Sequence, residues 1–423
     1  MATVPALRKA SGMDPERPLF FDLVVIGAGP AGASAAFTAA HAGLSVALID
    51  KAGFPRAKLC GGLFSGRARA AFQQVFDRPL DPALFDERRR FAFYLRGARL
   101  GPEETASPMH VTMRWDMDSH LKTMACDAGA QDFTGCRVAT LDPKARHLSL
   151  ATGETISWSV LIGADGVQSI VAKALFGRAF DPARIGFALE IEAPNDTDPG
   201  PDAPIRIDLD AADWGYGWSF PKRRTTTIGI GGVHVLNPDM AHKMAQYQSL
   251  LKDDSRAKVK GHFLPAGEDK GTPGHGTTLL VGDAAGYVDP ITGEGIAYAM
   301  QSGHAAALAA KAAISQGDAA RALPIYRRSV RPIRRSLRLA RWLRPLIFSA
   351  RFRPIFERSF GRSRVLKKEF IRLLNGECEY PRILCLTILR MPGIALRALR
   401  SARPESPAPK PSKPGRVATK RLK

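Results

Sequence analysis

Cysteine is scarce in this chain: five thiols, at positions 60, 126, 136, 378 and 385, among 423 residues. They make no C-x-x-C and no set of close pairs. That argues against a zinc site or a disulfide framework, so no metal is expected and a reducing, cytoplasmic setting is. The opening stretch "MATVPALRKASGMDPERPLFF" lacks the apolar centre of a secretory signal. Internal repeats are missing as well. Acidic residues nearly disappear near the end: residues 327–423 hold 5 Asp+Glu against 27 Lys+Arg, a net of +22, whereas residues 1–326 sum to −1. A neutral body with a basic end points to a docking surface for something anionic.

One charge-free run is long enough to cross a bilayer, Leu23 to Ile49, 27 residues without Asp, Glu, Lys or Arg. Glycines and a proline interrupt it, its ends are rich in Val, Ile and Leu, and its centre is rich in alanine. That is strand, tight turn, helix and strand, all buried, as in the parallel part of a doubly wound sheet. Within it, Gly27-Ala28-Gly29-Pro30-Ala31-Gly32 follows "DLVVI" and opens the alanine-rich helix. Gly27 permits the turn, Gly29 admits a pyrophosphate to the backbone, and Gly32 lets helix and strand pack closely. The helix start supplies N–H groups and partial positive charge for the phosphates. Asp50, with Lys51 next to it, ends the second strand 18 residues after Gly32, where a carboxylate binds ribose hydroxyls. The acid disfavours a 2′-phosphate, which leaves FAD or NAD.

Two later segments bear on that choice. "VLIGADGVQSIVAKAL" (160–175) is a buried strand ending in Asp165-Gly166 before a helix. "TLLVGDAAGYVDPITGEGIAYAMQSG" (278–303) is a strand ending in Gly282-Asp283, a loop containing Pro290, and a helix from about Gly293. Here the chain resembles the FAD-dependent oxidoreductases of the aromatic-hydroxylase type, and most closely their geranylgeranyl reductase branch, over residues 20–310. In that family the G-x-G-x-x-G, the D-G segment and the G-D-A-A-G…P…G-E-G segment serve one FAD. The resemblance implies that Asp283 bonds the ribityl chain and that Gly293, Glu294, Gly295 and Ile296 face the isoalloxazine. The helix dipole there stabilises charge on the reduced ring. "MRWDMDSHLKTMACDAGA" (113–130) resembles the family helix whose arginine reaches FAD, here Arg114; a solvated helix arginine is the plainer reading.

Two features resemble the reductase branch in particular: "AKLCGG" (57–62) and "GYGWSFPKR" (215–223). Lys173 after "S-x-V-A" also agrees, where hydroxylases would carry an arginine at Val171. Gly61 and Gly62 let the backbone approach a ring system. Cys60 is either a flavin neighbour that shapes or protonates the reacting centre, as the resemblance implies, or a small buried thiol that fits. Lys58 is either a phosphate or carboxylate ligand or a surface lysine. Tyr216, Trp218 and Phe220 alternate and should share one face of a strand. They form either a sheet core or the apolar wall of a substrate channel, with Pro221 ending the pairing and Lys222 turned outward.

The expected architecture is α/β: a Rossmann-like FAD-binding domain from 20–69, 111–180 and 276–320, and an inserted antiparallel-sheet substrate domain from 70–110 and 181–275. A basic helical region, 321–400, follows, with disordered ends at 1–19 and 401–423. Arg327, Arg328, Arg331, Arg334, Arg335, Arg338 and Arg341 should line one side of a helix, with apolar residues through Phe360 beside it. That suits an anionic membrane surface; nucleic acid is not the expected partner, because no recognition motif accompanies the charge. "ILCLTIL" (383–389) is too short to span.

The function so implied is reduction of an isoprenoid C=C bond by reduced FAD at the cytoplasmic membrane face. With no second G-x-G-x-x-G, the donor is NAD(P)H bound without its own Rossmann unit, or a small carrier such as ferredoxin or flavodoxin. Two alternatives stand beside it. One is an FAD monooxygenase or halogenase, although tryptophan-type halogenases carry W-x-W-x-I-P and here Trp214 and Trp218 are four apart. The other is a non-catalytic flavin-binding membrane adaptor.

Overall fold

Apolar periodicity and glycine turns divide the chain into two sheets with helices between them. The computed structural model describes residues 18–382. The expectations for residues 1–17, for the apolar run 383–389 and for the stretch from Ser401 lie outside the described residues.

The continuous apolar runs make the first sheet's interior. β1 (Leu19–Ile26), α1 (Pro30–His41) and β2 (Val46–Asp50) open the chain. All five residues of β2 are buried, as a strand covered on both faces requires. Next come β3 (Leu63–Phe64), α2 (Gly66–Phe76), β4 (Asp86–Leu95), β5 (Ala98–Arg99) and β6 (Glu104–Val111). The chain returns through α3 (Arg114–Asp127), β7 (Gln131–Thr134), β8 (Val138–Asp142), β9 (His147–Leu150), β10 (Thr155–Gly163) and α4 (Ile170–Phe176). It leaves again through β11 (Gly186–Pro194), β12 (Ile205–Asp208), β13 (Tyr216–Pro221), β14 (Thr225–Val233), α5 (Met240–Leu251) and β15 (Lys260–Leu264). β16 (Gly274–His275), β17 (Thr278–Leu280), α6 (Gly282–Ala285) and α7 (Ile296–Ser315) close the core. The end is helical: α8 (Ala322–Ser329), α9 (Arg331–Phe348), α10 (Arg353–Arg362) and α11 (Arg364–Leu374).

The first sheet runs β16-β17-β10-β1-β2-β7, with β9 beside β10 and β8 beside β9. Its centre is parallel: β1 pairs with β2 and β10, β10 with β17, and β2 with β7. The carboxyl ends of β1, β2 and β10 therefore share one edge, where an open α/β sheet binds its ligand. The second sheet runs β15-β11-β14-β13-β12-β4-β6-β3. It is antiparallel except for β12 with β4, which pair in parallel, because a long excursion separates them in the chain. β3 joins this sheet although it comes between β2 and α3, and β16 joins the first.

The basic end differs from one continuous arginine-lined helix. The chain breaks between α8 and α9 at Val330. Arg334 is buried and paired with Asp269 at 3.0 Å, so it does not share the solvent face. Tyr326 is drawn into the first sheet, donating to the Leu280 carbonyl at 2.8 Å. α10 and α11 pack on the second sheet, where Phe93 meets Phe360 edge-on at 5.1 Å and Phe360 meets Phe370 at 5.7 Å. Among the described residues no helix is long and apolar enough to cross a membrane.

Candidate active site

A cavity of about 840 Å³ lies between the sheets. The first sheet supplies one wall from backbone. Gly27, Gly29, Pro30 and Ala31 line it, and no side chain caps the start of α1. Gly32 lies outside the cavity lining and serves the cradle by close packing rather than by contact. Its position is one of close approach: a Cβ there would sit 1.7 Å from the Gly27 carbonyl oxygen, so only glycine lets α1 leave the turn this way.

Carboxylates stand at or just past the strand ends: Asp50 closes β2, whereas β17 stops at Leu280 and Asp283 falls in α6 rather than ending the strand as expected. Asp50 lines the cavity, its two oxygens held by the Ala28 and Ala52 N–H groups at 2.9 Å each, with Lys51 beside it. Arg56 lies 3.8 Å from Asp50 and 3.4 Å from Asp118. Asp283 lines the cavity farther on, 3.9 Å from Lys58 Nζ. Asp165 and Gly166 also line it, but the Asp165 carboxylate is engaged: Ser169 Oγ donates at 2.5 Å and the Ile170 N–H at 2.7 Å, so it caps α4. Gly282 and Pro290 stay outside the lining. Gly282 instead packs on Ala31 and Ala299, and Pro290 against Gly267.

Gly293, Glu294, Gly295 and Ile296 border the cavity at the start of α7, which begins three residues after Gly293. Glu294 is committed there, accepting from Ser65 Oγ at 2.5 Å and from the Ala297 N–H at 3.0 Å. Burial raises the Glu294 carboxyl above its usual range.

Arg114 is not a solvated helix residue. It is 7% exposed, lines the cavity, and grips Asp118 through Nε at 2.7 Å and Nη2 at 2.8 Å. Burial works against its charge, but Asp118 and the Cys60 sulfur outweigh that and hold the guanidinium charged. Lys58 is no surface lysine either. Its Nζ lies 3.1 Å from His262 Nε2, and burial, only partly offset by Asp283, lowers its basicity. His262 is pushed down to about 4 by burial and by Lys58, so it stays neutral near neutral pH.

The second sheet supplies the other wall from side chains. Tyr216, Trp218 and Phe220 share one face of β13, with ring centroids 5.9 and 6.3 Å apart, joined by Ala188, Ile207 and Leu264 from the same sheet and Leu374 of α11. Cys60, Gly61 and Gly62 run between the walls. A Cβ on Gly61 would come within 2.8 Å of the Phe220 ring. Pro221, opposite Thr226, is the last residue of β13 and the last position of its pairing with β14. Lys222 does not turn outward: it is 3% exposed and donates to Glu192 at 3.1 Å, because that acid and the Thr225 and Thr227 hydroxyls form an internal polar cluster.

Sequence reasoning missed Arg56, Asp118, His262, Ser65 and Glu190, all but Asp118 in the cavity lining. Glu190 gave no signal in the sequence: in "IGFALEIEA" it alternates with Phe187, Leu189, Ile191 and Ala193 and shares its face with Glu192, so the pattern marks that face as polar, yet the structure turns Glu190 to the cavity. Its Oε1 accepts the Cys60 N–H at 2.7 Å, while Oε2 is buried without a partner among the described residues. Burial above all, and Glu192 to a lesser degree, raise its carboxyl to about 7.

The site therefore offers a glycine cradle at an uncapped helix start, a carboxylate at the end of β2, another in α6 just past β17, and a second helix start across from them. Those features fit an extended dinucleotide with its ring system at Cys60 to Gly62. Two buried polar atoms on the second wall, Glu190 Oε2 and Trp218 Nε1, also lack any partner from the described residues. Fold and site together define a flavoprotein oxidoreductase, and the description "FAD dependent oxidoreductase" matches residues 22–131.

The relatives narrow this. A geranylgeranyl diphosphate reductase from Rhodobacter capsulatus is 33% identical over 315 residues, 71% of this chain and 77% of that protein. A menaquinone reductase from Mycolicibacterium smegmatis is 31% identical over 310 residues, 68% of this chain and 75% of that protein. A geranylgeranyl bacteriochlorophyll reductase-like protein from Thermoplasma acidophilum has the same fold, with a TM-score of 0.69 at 20% identity over 91% of this chain and all of that one. A flavin-dependent brominase has it too, at 0.68 and 21% over 88% of this chain and 98% of that one. The chain belongs to the geranylgeranyl reductase family of FAD-dependent oxidoreductases.

Proposed function

We propose that this enzyme adds hydrogen across a C=C bond of an isoprenoid lipid, a geranylgeranyl-type chain or the prenyl tail of a quinone, at a membrane surface. The carrying observation is the second wall: an apolar, aromatic face continuous with the cofactor cradle. A prenyl chain offers no hydrogen-bonding handle and is held by such a wall alone. Relatives named for geranylgeranyl and menaquinone reduction support the same substrate class.

FAD, once bound and reduced by NAD(P)H or a small carrier such as ferredoxin or flavodoxin, supplies the hydride. The residues here hold and orient. The start of α1 takes the pyrophosphate, Asp50 the ribose and Asp283 the ribityl chain, and the start of α7 favours negative charge on the reduced ring. Tyr216, Trp218 and Phe220 pin the alkene and exclude water. Arg114, locked by Asp118, keeps a fixed positive charge beside Cys60.

The basic end supports membrane docking. Arg335, Arg338 and Arg341 are exposed on α9, and among them Trp342 is 68% exposed, with Leu346 on α9 and Ile355 of α10, 57% exposed, also open to solvent. Arginines around apolar anchors suit an anionic lipid face, each cation adding about 1 kcal/mol.

The test is anaerobic. Protein reduced with dithionite is mixed with geranylgeranyl diphosphate or a prenylated quinone, presented in vesicles with or without anionic lipid. The oxidised yellow spectrum should return with a gain of one H₂ per reduced bond, faster on anionic vesicles and slower as salt rises. No reoxidation by any polyprenyl compound would overturn the reading. Oxygen consumption coupled to hydroxylation would replace it with an oxygenase, and a flavin that turns over with no donor would leave an adaptor.

A further inference from the structure

The reaction needs a proton as well as a hydride, and the cavity lining holds an acid with one oxygen that no other described residue employs. Glu190 sits on β11 and is 5% exposed. Across the sheet it faces Gly229 on one side and the exposed Lys260 on the other. Gly229 brings no side chain, which leaves room for the Trp218 ring beside the Glu190 Cβ. The carboxyl is thus fixed in the second wall, next to the Cys60–Gly61 turn that separates it from the cradle.

Its two oxygens are treated differently. Oε1 is anchored by the Cys60 N–H at 2.7 Å. Oε2 has no partner among the described residues, although it is buried and belongs to a residue lining the cavity. A buried oxygen without a partner costs stability unless it carries a proton or meets a ligand. The charged groups that bear on it are Arg114 from α3, Lys222 from the end of β13 and Glu192 from its own strand. Lys222 is already taken by Glu192, and Arg114 by Asp118, so neither closes an ion pair with Glu190.

We propose that Glu190, protonated on Oε2, is the acid that protonates the substrate alkene. This rests on the reading of the enzyme as a C=C reductase. One alkene carbon receives hydride, two electrons and a hydrogen, from the reduced flavin. At the other carbon a C–H bond forms as the Glu190 O–H bond breaks, and the product leaves saturated at that bond. The flavin ends oxidised, Glu190 ends as carboxylate, and water returns its proton before the next turnover. The Cys60 backbone N–H then acts as a brace: it holds Oε1 so that Oε2 faces the alkene, and it steadies the carboxylate left behind.

The pH dependence has a definite sign. The working form is the protonated one, and burial raises this carboxyl to about 7, so donation is full below that value and fades above it. The same shift acts on folding. Between the ordinary carboxyl range and about 7 the folded chain keeps a proton that the unfolded chain has lost, so Glu190 makes the protein less stable as pH rises through that window.

The experiment compares wild type, Glu190→Gln and Glu190→Asp. The first readout is infrared and needs no turnover. Wild type should show a protonated-carboxyl carbonyl band at about pH 6 that is gone by about pH 8, and Glu190→Gln should lack it. The second is single-turnover reoxidation of the reduced holoenzyme by geranylgeranyl diphosphate. Glu190→Gln should bind FAD and be reduced by dithionite as wild type is, yet reoxidise about 10²- to 10⁴-fold more slowly. Glu190→Asp should recover part of that rate, and the wild-type rate should fall above about pH 7. A Glu190→Gln enzyme that keeps the wild-type rate overturns the proposal, as does an infrared band missing throughout the range. So does a loss in Cys60→Ser that Glu190→Gln does not share, which hands the proton to the thiol. A wild-type enzyme that no prenyl compound reoxidises fails differently, taking the substrate reading down first and this role with it.

Discussion

The two walls of the cavity are built by opposite means. The first is made of backbone: two glycines of one turn, helix starts, and carboxylates braced by neighbouring N–H groups. The second is made of side chains on a twisted sheet, three aromatic rings and one buried acid. A backbone cradle recognises what dinucleotides have in common, so its residues must keep their spacing. A side-chain wall recognises what differs between substrates, and its members come from strands far apart in the chain.

That difference decides what the sequence revealed. The cradle was readable because Gly27, Gly29, Gly32 and Asp50 act through spacing along one strand–turn–helix–strand unit. Even there, the sequence did not fully separate residues that line the cavity from those that shape it: Gly282 and Pro290 are structural, and the Asp165 and Glu294 carboxylates are taken by the first N–H groups of helices. On the second wall, alternation put Tyr216, Trp218 and Phe220 on one face correctly. Glu190 and His262 went unseen because their neighbours, Cys60 and Lys58, lie 130 and 204 residues away. Lys222 was misjudged for the same reason, since Glu192 draws it inward from the neighbouring hairpin. At the basic end, spacing alone gave one arginine face, but Asp269, also distant, pulls Arg334 into the body.

The largest effect should come from the first wall. Arg114→Met leaves the Asp118 carboxylate fully buried, with only Arg56 at 3.4 Å to answer it. The loss should be up to about 3–5 kcal/mol in urea unfolding, because a buried charge loses both of its short bonds and keeps only the longer contact to Arg56. Arg114→Met with Asp118→Leu should regain most of it. If the single variant costs nothing, the cradle's polar support is less essential than its backbone.

A middle-sized effect should mark the seam. Gly61→Ala forces a methyl to 2.8 Å from Phe220 and 3.2 Å from the Trp218 nitrogen. Overpacking of this kind costs about 1–3 kcal/mol. It should also alter near-UV circular dichroism, since the indole must shift. An unchanged spectrum would mean the walls move independently and the turn simply bends away.

The smallest effect belongs to a hydrogen bond that ties the aromatic wall to the approach to α7. The Tyr216 hydroxyl donates to the Thr292 carbonyl at 2.6 Å, next to Gly293. Tyr216→Phe keeps the ring and its packing and removes only the donor, leaving a buried carbonyl unanswered. The expected cost is about 1 kcal/mol by denaturant unfolding, the usual net worth of such a bond. Burial raises the phenol above its ordinary value, so the hydroxyl stays a donor across the working range and this loss should not vary with pH. Glu190→Gln makes the contrast, because its effect on stability must grow from the ordinary carboxyl range up to about pH 7 and level off above it. If Tyr216→Phe showed the same pH dependence, the hydroxyl would belong to the proton inventory of the second wall. A flat profile leaves it as the fastener that sets the distance between substrate wall and cofactor cradle.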